Sequence, residues 1–366
     1  MYLYERRGWP NFTWDEPKVL AFLSEVRYMQ GLLLGKMRNL GFELQDQAVL
    51  EMITLDIVKS NEIEGENMNT DEVRSSVARK LGLQLETEVH VGRYTEGVVE
   101  MMLDATQQYL VPLSQERLFG WHAALFPTGR SGMRKITVGN WRQGEEAMQV
   151  VSGRIGVEKI HFEAPVSSEV PNEMTRFLNW VQDESKIDSI IKAAVAHLWF
   201  VTIHPFDDGN GRITRAIADL FLARSDKSEQ RFYSMSAAIL ENKKGYYRIL
   251  ERTQKGELDI TEWLIWFLER LKEAIQSSED KLKSVMKKAR FWNQFSKMSL
   301  NHRQRLMINK LLDGYEGIIR TSKWAKITQC SEKTALRDIE NLVQKGIMEK
   351  GDARGRSTSY VLKEAD

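Results

Sequence analysis

The segment 204–215 combines residue types that bind phosphate and accept a proton. Its sequence is HPFDDGNGRITR, and it lies between an apolar segment of helical periodicity, 187–203, and a second segment of helical character. Glycines let the backbone approach a ligand closely, and the first N–H groups of a helix have no partner within it. Because the helix dipole also favours anions there, we predict a helix–loop–helix with an anion-binding turn at Gly209, Asn210 and Gly211.

The side chains of the same segment supply the other parts of phosphate chemistry. Arg212 and Arg215 are one helical turn apart and can clamp further phosphate oxygens. Asp208 is an oxygen ligand suited to Mg²⁺, and His204 is an imidazole that can take a proton near neutral pH. A surface turn with incidental charges is the alternative interpretation, and the length and order of the segment argue against it.

The segment resembles the motif of the Fic family, HPFx(D/E)GNGRxxR, at every fixed position. The resemblance covers roughly residues 50–260 and implies a mostly helical fold that transfers AMP from ATP to a Ser, Thr or Tyr hydroxyl of a protein. It implies that His204 deprotonates the hydroxyl and that Asp208 holds Mg²⁺. The nucleotide-binding residues that it implies are Gly209, Asn210, Gly211, Arg212 and Arg215.

A short acidic segment, SNEIEG at 60–65, follows an apolar helical pattern. By itself it is typical of the acidic end of any helix. Beside the Fic motif it resembles the family's inhibitory pattern, (S/T)xxxE(G/N), at Ser60, Glu64 and Gly65. The resemblance implies that Glu64 pairs with Arg215 and prevents productive placement of the γ-phosphate, since carboxylate and phosphate compete for one guanidinium fork. We therefore expect an autoinhibited enzyme.

Residues 147–162 predict a β-hairpin with strands at 149–153 and 158–162. Fic proteins have a flap at this place that docks the target by strand pairing, and a plain surface hairpin is the alternative. The sequence Glu-Ala-Pro at 163–165 departs from the family's proline run, which leaves the register of the flap open. His161 is expected to be a strand side chain.

Tyr246 and Tyr247, in KKGYYRIL, match a Tyr-Tyr pair that follows the motif helix in relatives. Tyr246 is the ring that this match assigns to the nucleotide. Packing of both rings against a helix is the alternative.

The last 67 residues, 300–366, differ in character from the rest of the chain. Helical patterns at about 303–312, 321–328 and 331–345 precede two strand-like segments, which resembles a winged helix-turn-helix. Ser331 is the expected N-cap of a recognition helix from Glu332 to Lys345, and Arg354 and Arg356 would lie in the wing. Residues 301–366 contain 13 Lys plus Arg and 9 Asp plus Glu, a net charge of +4 against +1 for the whole chain. The module could bind DNA, or serve dimerisation or target docking.

Bulk properties set few limits on partners. Lys plus Arg is 52 and Asp plus Glu is 51, so the net charge does not indicate any class of partner. Cys330 is the one cysteine, so no internal disulfide forms, and a reducing compartment is favoured. We see neither the apolar run of a signal peptide nor about 18 consecutive apolar residues, and we expect a cytoplasmic protein without a membrane span.

Almost every long segment has helical period, so we predict a mainly α fold. It consists of a helical Fic core with a small β-hairpin flap, an N-terminal helical domain and a C-terminal winged helix-turn-helix. The expected domains are 1–90, 91–275, a helical linker at 276–299, and 300–366. The predicted helices of the first 300 residues are 17–40, 46–60, one starting at 70–73, 87–110, 114–126, 167–184, 187–203 and 259–297.

The predicted function is that of a protein adenylyltransferase using ATP and Mg²⁺, with proteins, itself included, as substrates. One rival is a transferase that moves another phosphate-containing group with the same loop. A rival from another class is a DNA-binding regulator whose Fic core only senses nucleotide. DNA and a second copy of the chain are the other partners left open.

Overall fold

The computed structural model describes the chain except residues 39–41, 86–88, 145–146, 153–158, 184–186, 296–297, 313, 316, 352–357 and 364–366. The chain divides into two compact units, Met1–Glu279 and Asp280–Asp366. Within the described ranges, no helix is both long and apolar enough to cross a membrane. The predicted mainly α fold is confirmed.

Most helices of the first unit follow the predicted apolar periodicities, but no helix was predicted over residues 235–254. The helices are α1 (Glu16–Arg38), α2 (Phe42–Ile63), α3 (Thr70–Lys80), α4 (Arg93–Gln107), α5 (Gln115–Leu125), α6 (Val170–Gln182), α7 (Ser189–Ile203), α8 (Asn210–Asp226), α9 (Met235–Glu241), α10 (Lys243–Gln254) and α11 (Thr261–Gln294), the last of which continues beyond the unit. Short 3₁₀ turns form at Leu3–Glu5 and Ser167–Glu169. The helix predicted over 87–110 begins only at Arg93, after Gly92.

Side-chain caps explain several of these starting points. Asn69 accepts hydrogen bonds from the N–H groups of Asp71 and Glu72 at the start of α3. Ser114 caps α5 and Asp188 caps α7 in the same way. Each cap satisfies backbone donors that the first helical turn leaves without partners.

Helices α7 and α8 form the centre of the first unit. Every residue of α7 after Ser189 is buried, and so are most residues of α8. Helices α4 and α5 pack against α8, α6 packs against α7, and α2 packs against α3, α4 and α9. Gly97 of α4 lies so close to α5 that an added Cβ would overlap the carbonyl of Ala124. The motif therefore lies between two helices that the core holds rigidly.

Two antiparallel hairpins precede α6. The first, β1 (Arg130–Ser131) with β2 (Arg134–Lys135), was not predicted from the sequence. The second, β3 (Gln149–Ser152) with β4 (Lys159–Glu163), is the predicted hairpin. Its register pairs Gln149 with Glu163 and Ser152 with Lys159, with an irregularity between Val150 and Val151. The expected strand ends at 153 and 158 lie outside the described residues.

The N-terminal segment packs on the first unit ahead of α1. The rings of Tyr2 and Tyr4 contact Phe162 of β4, and the indole N–H of Trp9 donates to Glu173 at 2.8 Å. Thr13 pairs by backbone hydrogen bonds with Leu258 and Ile260. The start of the chain is thus joined both to the β3–β4 hairpin and to the segment before α11.

The second unit has its own core. It contains α12 (His302–Leu312), α13 (Thr321–Ile327), α14 (Glu332–Gln344) and an antiparallel pair, β5 (Met348–Lys350) and β6 (Tyr360–Leu362). Ser331 caps α14, as predicted. Phe291 and Phe295, in the segment expected to be a linker, are buried in this core with Trp324 and Ile339. Arg354 and Arg356 lie outside the described residues.

Candidate active site

The predicted helix–loop–helix is present between α7 and α8. Helix α7 ends at Ile203, and its C-cap His204 has a left-handed backbone with φ 53° and ψ 58°. Gly209 is also left-handed, at φ +78°, and α8 starts at the next residue. Asn210 closes the loop, because its side chain accepts from the N–H of Phe206 at 2.9 Å and donates to the carbonyl of Phe206 at 2.7 Å. The N-terminal N–H groups of α8 are thereby held next to a fixed turn.

The two glycines of the turn are both required by close contacts. A Cβ at Gly209 would lie 2.8 Å from Cε2 of Phe126. A Cβ at Gly211 would overlap the carboxylate of Glu64. That carboxylate therefore lies directly against the first turn of α8, at the place where a helix N-terminus binds anions.

His204 has a defined tautomer and is a free base. Its Nδ1 is 3.2 Å from the carbonyl oxygen of Val201, which can only accept, so Nδ1 carries the proton and Nε2 carries the lone pair. Burial, with a smaller contribution from nearby Arg142, lowers the pKa of His204 to about 4. The imidazole is thus neutral at neutral pH.

Arg142 holds this left-handed turn in place and was not identified from the sequence. Its Nε donates to the carbonyl of His204 at 2.8 Å, and its Nη2 donates to that of Pro165. Its own N–H donates to the carbonyl of Pro205 at 2.9 Å. Only 4% of Arg142 is exposed, and burial lowers its pKa. Nothing in the local pattern NWRQG indicated this role.

Asp208 is a half-exposed carboxylate at the mouth of the loop. Its Oδ1 accepts from the N–H of Gly209 at 2.5 Å, and its Oδ2 accepts from the hydroxyl of Ser131. Its backbone carbonyl lies 3.2 Å from Nε2 of His122, a buried ring that stacks on Phe206. Among the described residues, no group of three or more His, Cys, Asp or Glu side chains could hold a metal. Asp208 alone fits Mg²⁺ that takes its other ligands from phosphate and water.

Arg215 is buried against the end of α2. Its Nη2 lies 2.8 Å from Oε1 of Glu64 and 2.9 Å from the carbonyl of Ser60, and its Nε donates to Oγ of Ser60 at 2.8 Å. Among the described residues, no acceptor receives a hydrogen bond from its Nη1. The structure thus brings together Ser60, Glu64 and Arg215, which the sequence separates by 150 residues and more.

Arg212 lies one turn earlier and has a different set of partners. Its Nη1 is 2.7 Å from the hydroxyl of Tyr94 and 3.3 Å from Oε2 of Glu66. The guanidinium lies 5.2 Å from the ring centroid of Phe126. In the described part of the chain its Nε has no acceptor. Neither Glu66 nor Tyr94 was identified from the sequence.

Tyr246 is buried near Arg215. It is 2% exposed, and its hydroxyl is 2.9 Å from Nε2 of His197. Tyr247 is 42% exposed, and its hydroxyl donates to the carbonyl of Ile63 at 3.3 Å. In this state Tyr247 is therefore the more accessible ring of the pair.

His161 is a strand residue of the β3–β4 hairpin, as predicted. Its Nδ1 lies 2.8 Å from Oε2 of Glu251 on α10. This contact joins β4 to the helix that carries both tyrosines.

Two family models match separate parts of this chain. Residues 2–83 match a domain of unknown function, DUF4172. Residues 112–222, which contain the whole loop, match the Fic/DOC family.

Relatives named as adenylyltransferases match about a quarter to a third of the chain. A probable protein adenylyltransferase of Aquifex aeolicus is 31% identical over 98 residues, which are 26% of this chain and 31% of that protein. Protein adenylyltransferase fic-1 of Caenorhabditis elegans is 34% identical over 114 residues, 30% of this chain and 21% of that protein. The chain thus matches less than a third of the length of each.

Solved structures share the fold. A Fic family protein from Desulfovibrio desulfuricans has a TM-score of 0.54 at 18% identity, over 98% of this chain and 99% of that one. A Fic domain containing signaling protein from Bacteroides thetaiotaomicron has a TM-score of 0.51 at 19% identity, over 72% of this chain and 96% of that one.

Proposed function

We propose that this chain, a Fic/DOC family protein with an N-terminal DUF4172 domain, is a protein adenylyltransferase. It would transfer AMP from ATP to a Ser, Thr or Tyr hydroxyl of a protein. One observation supports this most strongly. Two arginines, each 2% exposed and each with an N–H group lacking an acceptor among the described residues, lie on the first two turns of α8, and the neutral imidazole of His204 precedes this helix in the same loop.

The unpaired N–H groups fit a polyanionic ligand. Leaving a buried donor without an acceptor costs about 1–3 kcal/mol, so such donors need a reason. Phosphate oxygens would accept hydrogen bonds from Arg212, Arg215 and the first N–H groups of α8 together. The triphosphate of ATP offers acceptors for all three.

His204 would act as the general base. Its Nε2 takes the proton of the target hydroxyl while the hydroxyl oxygen bonds to the α-phosphorus. The bond between that phosphorus and the bridging oxygen breaks, and pyrophosphate leaves. The protein contributes placement and charge neutralisation, and no covalent enzyme intermediate is needed. Asp208 would hold Mg²⁺, which neutralises phosphate charge.

Glu64 would keep this site switched off. Its carboxylate pairs with Arg215 and lies against Gly211, so it competes with phosphate both for the guanidinium fork and for the helix N-terminus. ATP would still bind through its other parts, with the triphosphate displaced. Ser60 supports the pair by holding Nε of Arg215.

The β3–β4 hairpin would dock the target. Val151 and Ile160 expose 48% and 45% of their surface, which gives the hairpin apolar side chains for a peptide strand. Contact of Tyr246 with the nucleotide is retained as a proposal, and it requires this residue, which is 2% exposed here, to become more accessible.

The second unit is proposed to be a winged helix-turn-helix, since helices α12–α14 are followed by an antiparallel pair. Lys333 and Arg337 are exposed on α14, but so are Glu332 and Glu340. That mixture favours protein docking or dimerisation at least as much as DNA binding. A DNA-binding regulator with a nucleotide-sensing core is the second candidate, and salt-dependent duplex affinity without transferase activity would support it.

Adenylyl transfer and phosphate transfer are distinguished by which phosphate of ATP becomes attached to protein. The Glu64→Gly variant is incubated with Mg²⁺, a cell lysate and ATP labelled at either the α- or the γ-phosphate. Adenylyl transfer puts only the α-label on protein, whereas phosphate transfer puts only the γ-label there. The same variant with His204→Ala is the control. Absence of both labels at measurable ATP binding would contradict the proposal.

A further inference from the structure

The turn after α2 presents two carboxylates, not one, to the motif helix. Helix α2 ends at Ile63, and Gly65 is left-handed at φ +84°. The N–H of Glu66 bonds to the carbonyl of Asn61 at 3.1 Å, and the N–H of Gly65 bonds to that of Glu62 at 3.0 Å. This pair of hydrogen bonds is the Schellman closure of a helix end, which fixes the residues on both sides of the glycine.

The spacing of the carboxylates matches the spacing of the arginines. Glu64 and Glu66 lie on either side of Gly65, and Arg215 and Arg212 lie one turn apart on α8. Glu64 pairs with Arg215 at 2.8 Å and Glu66 with Arg212 at 3.3 Å. Each motif arginine therefore has its own carboxylate from the same turn.

Tyr94 of α4 completes the contact at Arg212. Its hydroxyl accepts from Nη1 of Arg212 at 2.7 Å, and its single proton can go to Glu66 or to Oδ1 of Asn61, which is 2.9 Å away. Burial raises the pKa of Tyr94, as does Glu66, so the hydroxyl stays protonated. Asn61 is fully buried and also bonds to the carbonyl of Ile57, so it anchors this hydroxyl to α2.

We propose that Glu66 and Tyr94 are positioning residues that hold Arg212 away from the nucleotide, separately from the hold of Glu64 on Arg215. The inference rests on the proposed nucleotide site. A phosphate that takes Arg212 must displace Glu66, whether or not Glu64 is present. Removal of Glu64 alone therefore leaves one of the two arginines restrained.

The expected effect is on nucleotide affinity. Glu66→Gln keeps the shape of the side chain but removes the charge, so phosphate competes with a neutral amide for Arg212. Glu66 is 46% exposed, so we expect a moderate gain, about three- to tenfold in ATP affinity. Tyr94→Phe should act in the same direction, because it removes the second contact to Nη1. Glu66→Asp retains the charge and should stay close to wild type.

The test is calorimetric titration of the full chain with ATP and Mg²⁺. Wild type, Glu66→Gln, Glu64→Gly and the double variant are compared, with folding checked by circular dichroism. Glu62→Gln is the matched control, because Glu62 lies on the same turn but pairs with Lys59. We expect Glu66→Gln to tighten binding by a similar factor with and without Glu64, and Glu62→Gln to change nothing.

Two results would overturn the inference. One is that Glu66→Gln changes ATP affinity no more than Glu62→Gln does, with or without Glu64. The other is that its effect vanishes once Glu64 is removed, because Glu66 would then only support Glu64. Failure of the proposed function is distinguishable from both: Glu66→Gln would still tighten ATP binding, while Glu64→Gly would transfer no label.

Discussion

His204 owes its basic nitrogen to the turn that ends α7. The left-handed backbone and the hydrogen bond of Nδ1 to Val201 leave Nε2 as the only proton acceptor of the ring. Because the ring is not part of the anion-binding turn, its removal should affect proton transfer and not phosphate binding. The residue thus offers a clean separation between catalysis and affinity.

We expect His204→Ala to lower transfer by about 10²–10⁴-fold, the usual contribution of a general base. ATP affinity should change little. Label transfer and calorimetric ATP binding are measured on the Glu64→Gly background, with His302→Ala as a control in the second unit. Near-wild-type transfer would remove His204 from the mechanism.

The pH dependence of transfer follows from the lowered pKa of the same ring. Burial disfavours the imidazolium, so the neutral base persists until the pH falls to about 4, well below the usual range of histidine. At saturating ATP and Mg²⁺, we expect the rate of Glu64→Gly to stay level from neutral pH down to about 5 and then to fall. Initial rates across this range test the sign, and a midpoint near 6.5 would show a ring that titrates as in solvent.

Some residues of the site could be identified from the sequence and others could not. The loop residues are contiguous, so their order alone indicated phosphate chemistry. Arg142, Glu66 and Tyr94 act on residues 62, 146 and 118 positions away. Such partners depend on how helices pack, and no local pattern in one sequence reports that.

At the scale of elements, the end of α2 and the start of α8 are the two parts of the proposed inhibitory contact. Glu64 and Arg215 meet because the two helices approach each other there. If the carboxylate acts only through this arginine, removing the carboxylate should not activate transfer when the arginine is also missing. General loosening of the structure would not have that dependence.

We expect Glu64→Gly to raise self-modification well above wild type, by about 10²-fold if the triphosphate is misplaced by about 1 Å. Arg215→Ala should cancel the gain. Initial rates of wild type, both single variants and the double variant are measured at saturating ATP and Mg²⁺. Equal rates for wild type and Glu64→Gly would refute this control, as would a fully activated double variant.

The contact between α4 and α5 depends on one glycine. A Cβ at Gly97 would overlap the carbonyl of Ala124, whereas Gly120, exposed on α5, has open space around it. Gly97→Ala should destabilise the fold by about 1–3 kcal/mol through overpacking. Gly120→Ala should stabilise it by about 0.5–1 kcal/mol, since alanine favours a helix. Urea unfolding of the pair measures both, and equal effects would contradict this account of the packing.

Sequence periodicity predicted most of the long elements and missed the shortest ones. Most long segments of helical period became helices within four residues of their expected bounds, and the exception is the one predicted over 87–110, which begins only at Arg93. The two-residue strands β1 and β2 were missed, because two residues give no alternation to detect. The segment at 276–299 was interpreted as a linker because it is basic and helical. Phe291 and Phe295 lie on its buried face, and most of the residues that pack against them come from residue 300 onward.

At the scale of the molecule, the division into two units predicts where the chain can be cut. The first unit ends at Glu279 and contains every residue of the proposed site. A cut at 299, which the sequence suggested, would leave Phe291 and Phe295 without the core that buries them. Two large exposed aromatic side chains promote association of the truncated chain.

We therefore expect a chain ending at Glu279 to be a soluble monomer or dimer that keeps self-modification within about threefold of full length, since domains with their own cores can function apart. Both chains carry Glu64→Gly, so that transfer is measurable.

A chain ending at residue 299 should aggregate, and Phe291→Ser with Phe295→Ser should relieve that aggregation without changing transfer. Any docking of protein targets or of duplex DNA by the second unit should be lost in both truncations, because both lack its core. Size-exclusion chromatography, label transfer to self and to lysate proteins, and duplex titration at two salt concentrations measure these outcomes. If the chain ending at Glu279 is folded by circular dichroism yet transfers nothing, catalysis requires the second unit, and the assignment of the whole reaction to residues 1–279 is wrong.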